Sequence, residues 1–267
     1  MGFSNGKTFI GETHEAYHRR GEISASMVKT LLESPEEFYW THVQKRPTKS
    51  SQAMDFGTVV HEEHLLAIWE QSWVQIPREA LSSNGARRGS AWESFKRENE
   101  GKILLKEDQT EKLKWIREAL ENNPLARELL EKESINEITI TADAPLSDGT
   151  VQPVRGRIDK LHDAIVDLKT LSDLDDRTVR YRPLDHRWDI QGVNYQLLVQ
   201  SIRGGSLPDV YFIGVETSVP FRCEVICPLQ QTLAAAAILL QDAIEEIVAR
   251  TKSGNWHRNG WPEALTF

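Results

Sequence analysis

Sulfur is scarce in this chain: two cysteines and three methionines among 267 residues. Cys223 and Cys227 alone fall short of an iron–sulfur cluster or a closed zinc site, which take about four ligands. Their C-x3-C spacing leaves metal binding open, and structural or incidental thiols are the plainer reading. Long apolar runs are missing too: none approaches the roughly 18 residues that span a bilayer. The start, MGFSNGKTFIGETHE, lacks a basic-then-apolar leader and the Ser/Thr of a myristoylation motif. A cytoplasmic protein without membrane contact is therefore expected. Positive charge is in deficit, with 32 basic against 40 acidic residues and a net charge of −8. That balance disfavours broad non-specific nucleic-acid binding but permits a local basic groove beside an acidic site.

What is present is ordinary for a folded domain: 39% hydrophobic and 27% charged residues. The length suits one large domain or two small ones. Basic residues gather at Arg87-Arg88, at Lys96-Arg97, at Arg155 and Arg157, and at Arg177, Arg180, Arg182 and Arg187. Any one such cluster is most often a solvated face.

Residues 1–22 read as a loose polar arm. Ser24 is placed to cap a short helix with Met27, Val28, Leu31 and Leu32 on one face. In SPEE, Ser34 caps a second start, with Pro35 in its first turn and Glu37 closing a capping box. Residues 45–52 form a polar connector, and AMDFGTVVHEEHLLAIWEQ a long helix. Residues 77–90 read as an exposed loop, followed by helices at 90–100, 107–121 and about 124–132; residues 77–133 together form a loop and helical insert. The period then changes. NEITITAD alternates as a strand, and DGTVQPVRGRIDKL and AIVDLKTL make two more. Residues 172–187, charged and interrupted by proline, read as a loop or lid. WDIQGVNYQLLVQSI is an amphipathic helix, DVYFIGVET a buried strand, EVICPL a further strand, and LQQTLAAAAILLQDAIEEIVART a long helix. This order predicts one α/β domain with a mixed sheet.

The stretch GRIDKLHDAIVDLKT carries the chemistry. Strand alternation puts Asp167 and Lys169 on one side, with Ile165. A three-residue connection, His162-Asp163-Ala164, sets Leu161 opposite Ile165 and Asp159 opposite Asp167, with facing Cβ atoms about 5 Å apart. That connection lacks the Gly or Asn such loops prefer. Two facing carboxylates repel, and a divalent cation between them removes the penalty. A surface hairpin with a Lys–Asp pair is the plain alternative. Two flanking helices add weight to the metal reading. His61 lies one turn past Gly57, where the missing side chain permits close approach. His61 and His64 follow H-x-x-H, not the H-E-x-x-H of zinc proteases. Gln191 and Tyr195, four apart, share a helix face.

In order, His61 on a helix, GRID, DLK and QGVNY resemble the PD-(D/E)xK nuclease superfamily. More closely, they resemble the exodeoxyribonuclease VIII branch, the RecE-like phage recombination exonucleases. ISASMVKTLLESPEEFY, FGTVVHEEHL, the stretch from Arg87 to Pro124, and the late WP are similar as well. The resemblance covers residues 22–217. It implies a single nuclease domain over 1–267: a restriction-endonuclease-like core with a central mixed β-sheet flanked by helices, and extra N- and C-terminal helices. It implies that His61, Asp159, Asp167 and the Leu168 carbonyl ligate Mg2+, with Mn2+ able to substitute. Lys169 is then the catalytic lysine, and Gln191 and Tyr195 form the Q-x-x-x-Y motif. The superfamily's Pro-Asp is here Ile158-Asp159, and the cluster-bearing relatives need more cysteine than this chain has.

The implied activity is processive 5′→3′ degradation of linear double-stranded DNA from its ends. It leaves 3′ tails for a single-strand annealing recombination protein. Arg87, Arg88, Arg177, Arg180 and Arg182 are expected to grip the DNA backbone. A ring-shaped homo-oligomer, trimer or tetramer, would make processivity compatible with an acidic chain. A structure- or end-specific endonuclease of the same superfamily and a non-catalytic DNA-binding module stay open. So does an unrelated zinc hydrolase using the HEEH segment with Cys223 and Cys227.

Overall fold

The computed structural model describes residues 2–46, 51–65 and 72–257. A seven-stranded mixed sheet organises them. Its strands are β1 (Ser4–Phe9), β2 (Ile23–Ser24), β5 (Ile135–Pro145), β6 (Val151–Leu161), β7 (Ile165–Leu171), β8 (Val210–Glu216) and β9 (Cys223–Ile226). Their order is β1-β5-β6-β7-β8-β9, with β2 parallel to β6. A separate parallel pair joins β3 (Trp73–Gln75) to β4 (Ile103–Leu105).

Two apolar clusters cover the two faces of the sheet. One packs α2 (Ala25–Glu33), α9 (Trp188–Arg203) and α10 (Gln230–Ser253) onto residues such as Ile140, Val154, Ile165 and Phe212. The other packs α4 (Gln52–Leu65), α6 (Glu107–Asn122) and α7 (Pro124–Glu131) onto Val166, Leu168, Ile213 and Val215. Alternation along β7 produces this division, because Ile165 belongs to one cluster and Val166 and Leu168 to the other. All three are fully buried, each worth about 1.5–3 kcal/mol of stabilisation. Parallel pairing of β7 with β8 requires a long crossover, which α8 (Asp176–Asp185) and α9 supply.

Several expectations are corrected. Residues 1–22 are no loose arm: β1 pairs antiparallel with β5, Phe3 is buried, and α1 (His14–Arg19) follows, capped by Thr13. β1 is held by its backbone ladder and by close approach rather than by apolar alternation, since a Cβ at Gly6 would collide with Ser201 and Ile202. Residues 172–187 are chiefly helical. Asp175 caps α8 by accepting from the Thr178 N–H at 2.6 Å, and Pro183 falls late in it. Residues 77–90 are only partly an exposed loop: Arg78–Ala80 form a helical turn, and Ile76, Ala80 and Trp92 make a small core beside α5 (Ser90–Glu98). The helix through His61 is described to Leu65, and the rest of that expected helix, 66–71, lies outside the described residues, as does the late WP. Ser34 caps α3 (Pro35–Phe38) by accepting from the Glu37 N–H at 3.1 Å, but Glu37 does not close the expected capping box: the Ser34 N–H donates to the Thr30 carbonyl at 2.9 Å, and the Ser34 hydroxyl donates to Glu36.

Candidate active site

The hairpin forms with the expected Leu161–Ile165 pair, and Lys160 pairs with Val166. Its turn needs neither Gly nor Asn because His162 closes it. The Ala164 N–H donates to His162 Nδ1 at 3.1 Å, and the His162 N–H donates to the Ala164 carbonyl at 3.0 Å. The ladder stops just before the two aspartates. Beyond Val166, the Leu168 N–H donates at 3.0 Å to the carboxylate of Asp159 instead of to a strand carbonyl. Side chains from α9 cap β6 along the same stretch. Tyr195 donates to the Arg157 carbonyl at 2.6 Å, and Asn194 to the Arg155 carbonyl at 3.2 Å. The gap between β6 and β7 is thus lined with polar groups on fixed backbone.

Asp159 looks toward α4, where His61 Nδ1 lies 3.4 Å from its Oδ2. Glu137, on β5, completes a trio: ligand atoms of His61, Glu137 and Asp159 all lie within 4.8 Å of one another. Asn136 pairs with Lys160 and Ile138 with Ile158, but Glu137 between them has φ 52°, a left-handed backbone inside a strand. Strain of that kind in a non-glycine residue concentrates at functional sites. Glu137 also pairs with Arg157. It was missed in the sequence because NEITITAD reads as ordinary alternation. The available signal was its place across the strand from Asp159, legible only once β5 and β6 were aligned.

Asp167 is approached from α9. Gln191 Nε2 donates to its Oδ2 at 2.7 Å, and Lys169 forms an ion pair with its other oxygen. Gln191 Nε2 also donates to the Tyr195 hydroxyl at 2.9 Å. Lys169 Nζ stands 6.0 Å from the Trp188 ring centroid and 5.8 Å from that of Phe212. Among the expected ligands, His61 and Asp159 thus stand with Glu137, while Asp167 borders that trio with its oxygens turned to Lys169 and Gln191. The Leu168 backbone lies beside His61, where it favours the charged imidazole.

Electrostatics mark the centre as short of positive charge. Burial, then the neighbouring Asp167 and Glu137, push the Asp159 carboxyl well above its usual range, with Lys169 opposing. Burial lowers the His61 imidazole, favouring the neutral form that can ligate a metal. Burial, with Asp167 and Asp159 nearby, raises the Tyr195 phenol well above its usual value, so it acts as a donor and not as a base. Two carboxylates and a neutral imidazole suit a divalent cation, whose charge would offset the repulsion around Asp159.

Of the expected DNA-gripping arginines, Arg177 and Arg180 are exposed on α8, and Arg182 is half-buried with Nη1 3.4 Å from Ser172 Oγ. Arg87 and Arg88 are exposed just before α5, and Arg87 stands 5.5 Å from the Trp92 ring centroid. Cys223 and Cys227 are free thiols, and burial pushes Cys223 up to about 12. Neither they nor His64 belongs to the metal-competent group found among the described residues. No helix among them is long and apolar enough to cross a membrane.

The family described as a PDDEXK-like domain of unknown function, DUF3799, matches residues 24–259. A candidate exonuclease from Eubacterium rectale is similar in structure, with a TM-score of 0.61, 17% identity, and coverage of 92% of this chain and 88% of that one. A phage-related exonuclease from Haemophilus somnus 129PT shares 9% identity at a TM-score of 0.32, covering 88% of this chain and 98% of its own. A search of curated protein sequences finds no match.

Proposed function

The chain belongs to the PDDEXK-like family DUF3799, and on that footing we propose that it is a divalent-metal-dependent deoxyribonuclease. The observation that carries this reading is the His61–Glu137–Asp159 trio set beside the Asp167–Lys169–Gln191 cluster. The favoured activity is a processive 5′→3′ exonuclease on linear double-stranded DNA, leaving 3′ tails for a strand-annealing partner. The resemblance read in the motifs supports it, as does the name of the similar structure from Eubacterium rectale.

His61, Glu137 and Asp159 would hold the cation, with Asp167 and the Leu168 carbonyl at its border; Mg2+ is the proposed ion. When bound, a divalent cation supplies charge that polarises a phosphodiester and makes water a better nucleophile. The chain's own groups do the rest. Lys169, held by Asp167, offsets charge on the phosphate as the water oxygen bonds to phosphorus and the P–O bond to the leaving sugar breaks. One water is consumed: its oxygen ends on phosphorus, one of its protons ends on the leaving sugar oxygen, and the other ends on the new phosphate monoester or in solvent. Gln191 and Tyr195 fix Asp167 and the β6 edge, so that Lys169 needs no reorganisation. Arg177, Arg180, Arg87 and Arg88 would meet backbone phosphates, whose contacts position without reading sequence. A ring-shaped homo-oligomer, trimer or tetramer, would keep the acidic chain on its substrate.

The test uses linear duplex DNA labelled at its 5′ or its 3′ ends, with Mg2+ or with EDTA, beside a closed circle. Metal-dependent loss of 5′ label from the linear form alone is expected. Equal cutting of circle and linear DNA would instead identify an endonuclease of the same superfamily. Binding without cutting would identify a non-catalytic module.

A further inference from the structure

Gln191 sits in a chain of hydrogen bonds whose direction is set at both ends. At one end, Lys29 on α2 donates from Nζ to Gln191 Oε1 at 3.0 Å. At the other, the amide's two N–H groups go to Asp167 Oδ2 at 2.7 Å and to the Tyr195 hydroxyl at 2.9 Å. Tyr195 is committed as a donor to the Arg157 carbonyl, so its oxygen can only accept from Gln191 along this path.

A glutamine amide is nearly symmetric in shape, and packing alone does not choose between its two orientations. Here the choice matters. Turned over, Gln191 would set an oxygen against Asp167 Oδ2 and an NH2 group against the Lys29 ammonium. Acceptor would face acceptor, and donor would face donor. Lys29 and the Asp167–Tyr195 pair thus select the same orientation from opposite ends, and Lys29 is the group that holds the Gln191 oxygen.

We propose that Lys29 is a positioning residue of this site: it locks the Gln191 amide and, through it, the Asp167–Lys169 pair. The proposal rests on the nuclease reading for its activity measurement. Stability alone gives a poor account of Lys29. Its side chain is half-buried on a helix that otherwise packs Ala25, Val28 and Leu31 inward. Burial and the nearby Lys169 both disfavour its charge, while Asp167, Asp189 and Glu33 favour it. Violations of a simple packing rule are expected where function requires them.

The experiment compares Lys29→Met, Lys29→Arg, Gln191→Leu and the Lys29→Met/Gln191→Leu double variant. Hydrolysis of linear duplex DNA is measured with Mg2+. The Gln191 side-chain NH2 signals are followed by NMR in EDTA. Lys29→Met should lower kcat by about tenfold to a hundredfold, the scale set by small misplacements in a site, with KM nearly unchanged. Lys29→Arg, which restores a donor, should recover most of that loss. The double variant should be no slower than Gln191→Leu alone, because Lys29 acts only through Gln191. The Gln191 NH2 pair, slowly exchanging in the parent, should exchange fast in Lys29→Met.

Full kcat in Lys29→Met, a loss in KM alone, or losses that add in the double variant would each overturn the proposal. If the parent protein cuts no DNA, the nuclease reading falls separately. The NMR comparison then decides, and an unchanged Gln191 NH2 exchange rate in Lys29→Met overturns the role of Lys29.

Discussion

Glu216, at the end of β8, and Asp159, near the end of β6, are both buried carboxylates of one sheet. Glu216 is surrounded by donors. It accepts from the Leu174 N–H at 2.7 Å, from the Arg222 N–H at 2.8 Å, and from Arg222 Nη2 at 2.7 Å and Nε at 3.0 Å. Burial pushes its carboxyl up, but the Arg222 guanidinium and the two backbone donors outweigh that and hold it below the usual range. Asp159 has one backbone donor, from Leu168, and two acidic neighbours. The protein can therefore satisfy a buried carboxylate fully when its role is to brace a turn. Around Asp159 it leaves charge uncompensated, and that imbalance is what a cation would relieve.

The largest expected effect breaks this comparison at Asp159. Asp159→Asn keeps an oxygen for the Leu168 N–H and removes the charge. DNA hydrolysis should fall by about a thousandfold, the scale of losing one preorganised electrostatic group. The melting temperature in EDTA should not drop, and a drop of several degrees would show that the carboxylate braces the fold as Glu216 does. Lys169→Ala should lose activity to a similar degree, and a fully active variant would remove Lys169 from the mechanism.

Glu137→Gln tests whether the strained residue on β5 shares the cation. Mn2+ affinity, read by calorimetry, should weaken by at least the tenfold to hundredfold seen on losing even a partner of a ligand. Unaltered affinity would leave Glu137 as no more than the ion-pair partner of Arg157.

Glu216→Gln is the reciprocal variant. It sets an NH2 group against N–H donors that Glu216 now accepts from, such as that of Leu174, and about 1–3 kcal/mol of stability should be lost, the cost of leaving a buried donor unsatisfied. Hydrolysis at a temperature where the variant is folded should stay near that of the parent. A selective loss of activity would mean that this corner reaches the site.

The two carboxylates also differ in how they could be read from sequence. The stretch holding Asp159 and Asp167 was legible as a hairpin because period-2 alternation is local, and Leu161–Ile165 pairs as expected, but the expected Asp159–Asp167 pair does not form: the ladder ends at Lys160–Val166, and the Leu168 N–H turns to the Asp159 carboxylate. The mixed sheet and its covering helices followed from the order of periodic segments. Glu137 was not legible, since a left-handed residue inside a strand leaves no trace in hydrophobic pattern. Lys29 was hidden for another reason: the bond to Gln191 spans 162 residues, and only the packing of α2 on α9 creates it. β1 escaped because its exposed sequence, SNGKTF, carries no apolar period and is held by backbone pairing to β5. The helical α8 escaped because Pro183 and its charges mimic a loop, while the Asp175 cap lies among them unmarked.

The smallest effect is a difference in sign. In EDTA, stability is followed by denaturant titration from about pH 7 down to about pH 3 for the parent, Asp159→Asn and Glu216→Gln. Glu216 has a folded pKa below its ordinary 4.5, so its contribution is complete above that value and is lost as pH falls through the folded pKa. Asp159 has a folded pKa above its ordinary 3.8. Between those two values the folded state holds a proton that the unfolded state has lost, so this group's contribution is complete below 3.8 and decays as pH rises through the folded pKa. Subtracting each variant from the parent should therefore give two curves of opposite slope: the Glu216 difference shrinks toward acid, and the Asp159 difference grows more favourable to the parent. Parallel slopes would mean that Asp159 is as well satisfied as Glu216, and the case for a cation at the β6–β7 gap would lose its electrostatic basis.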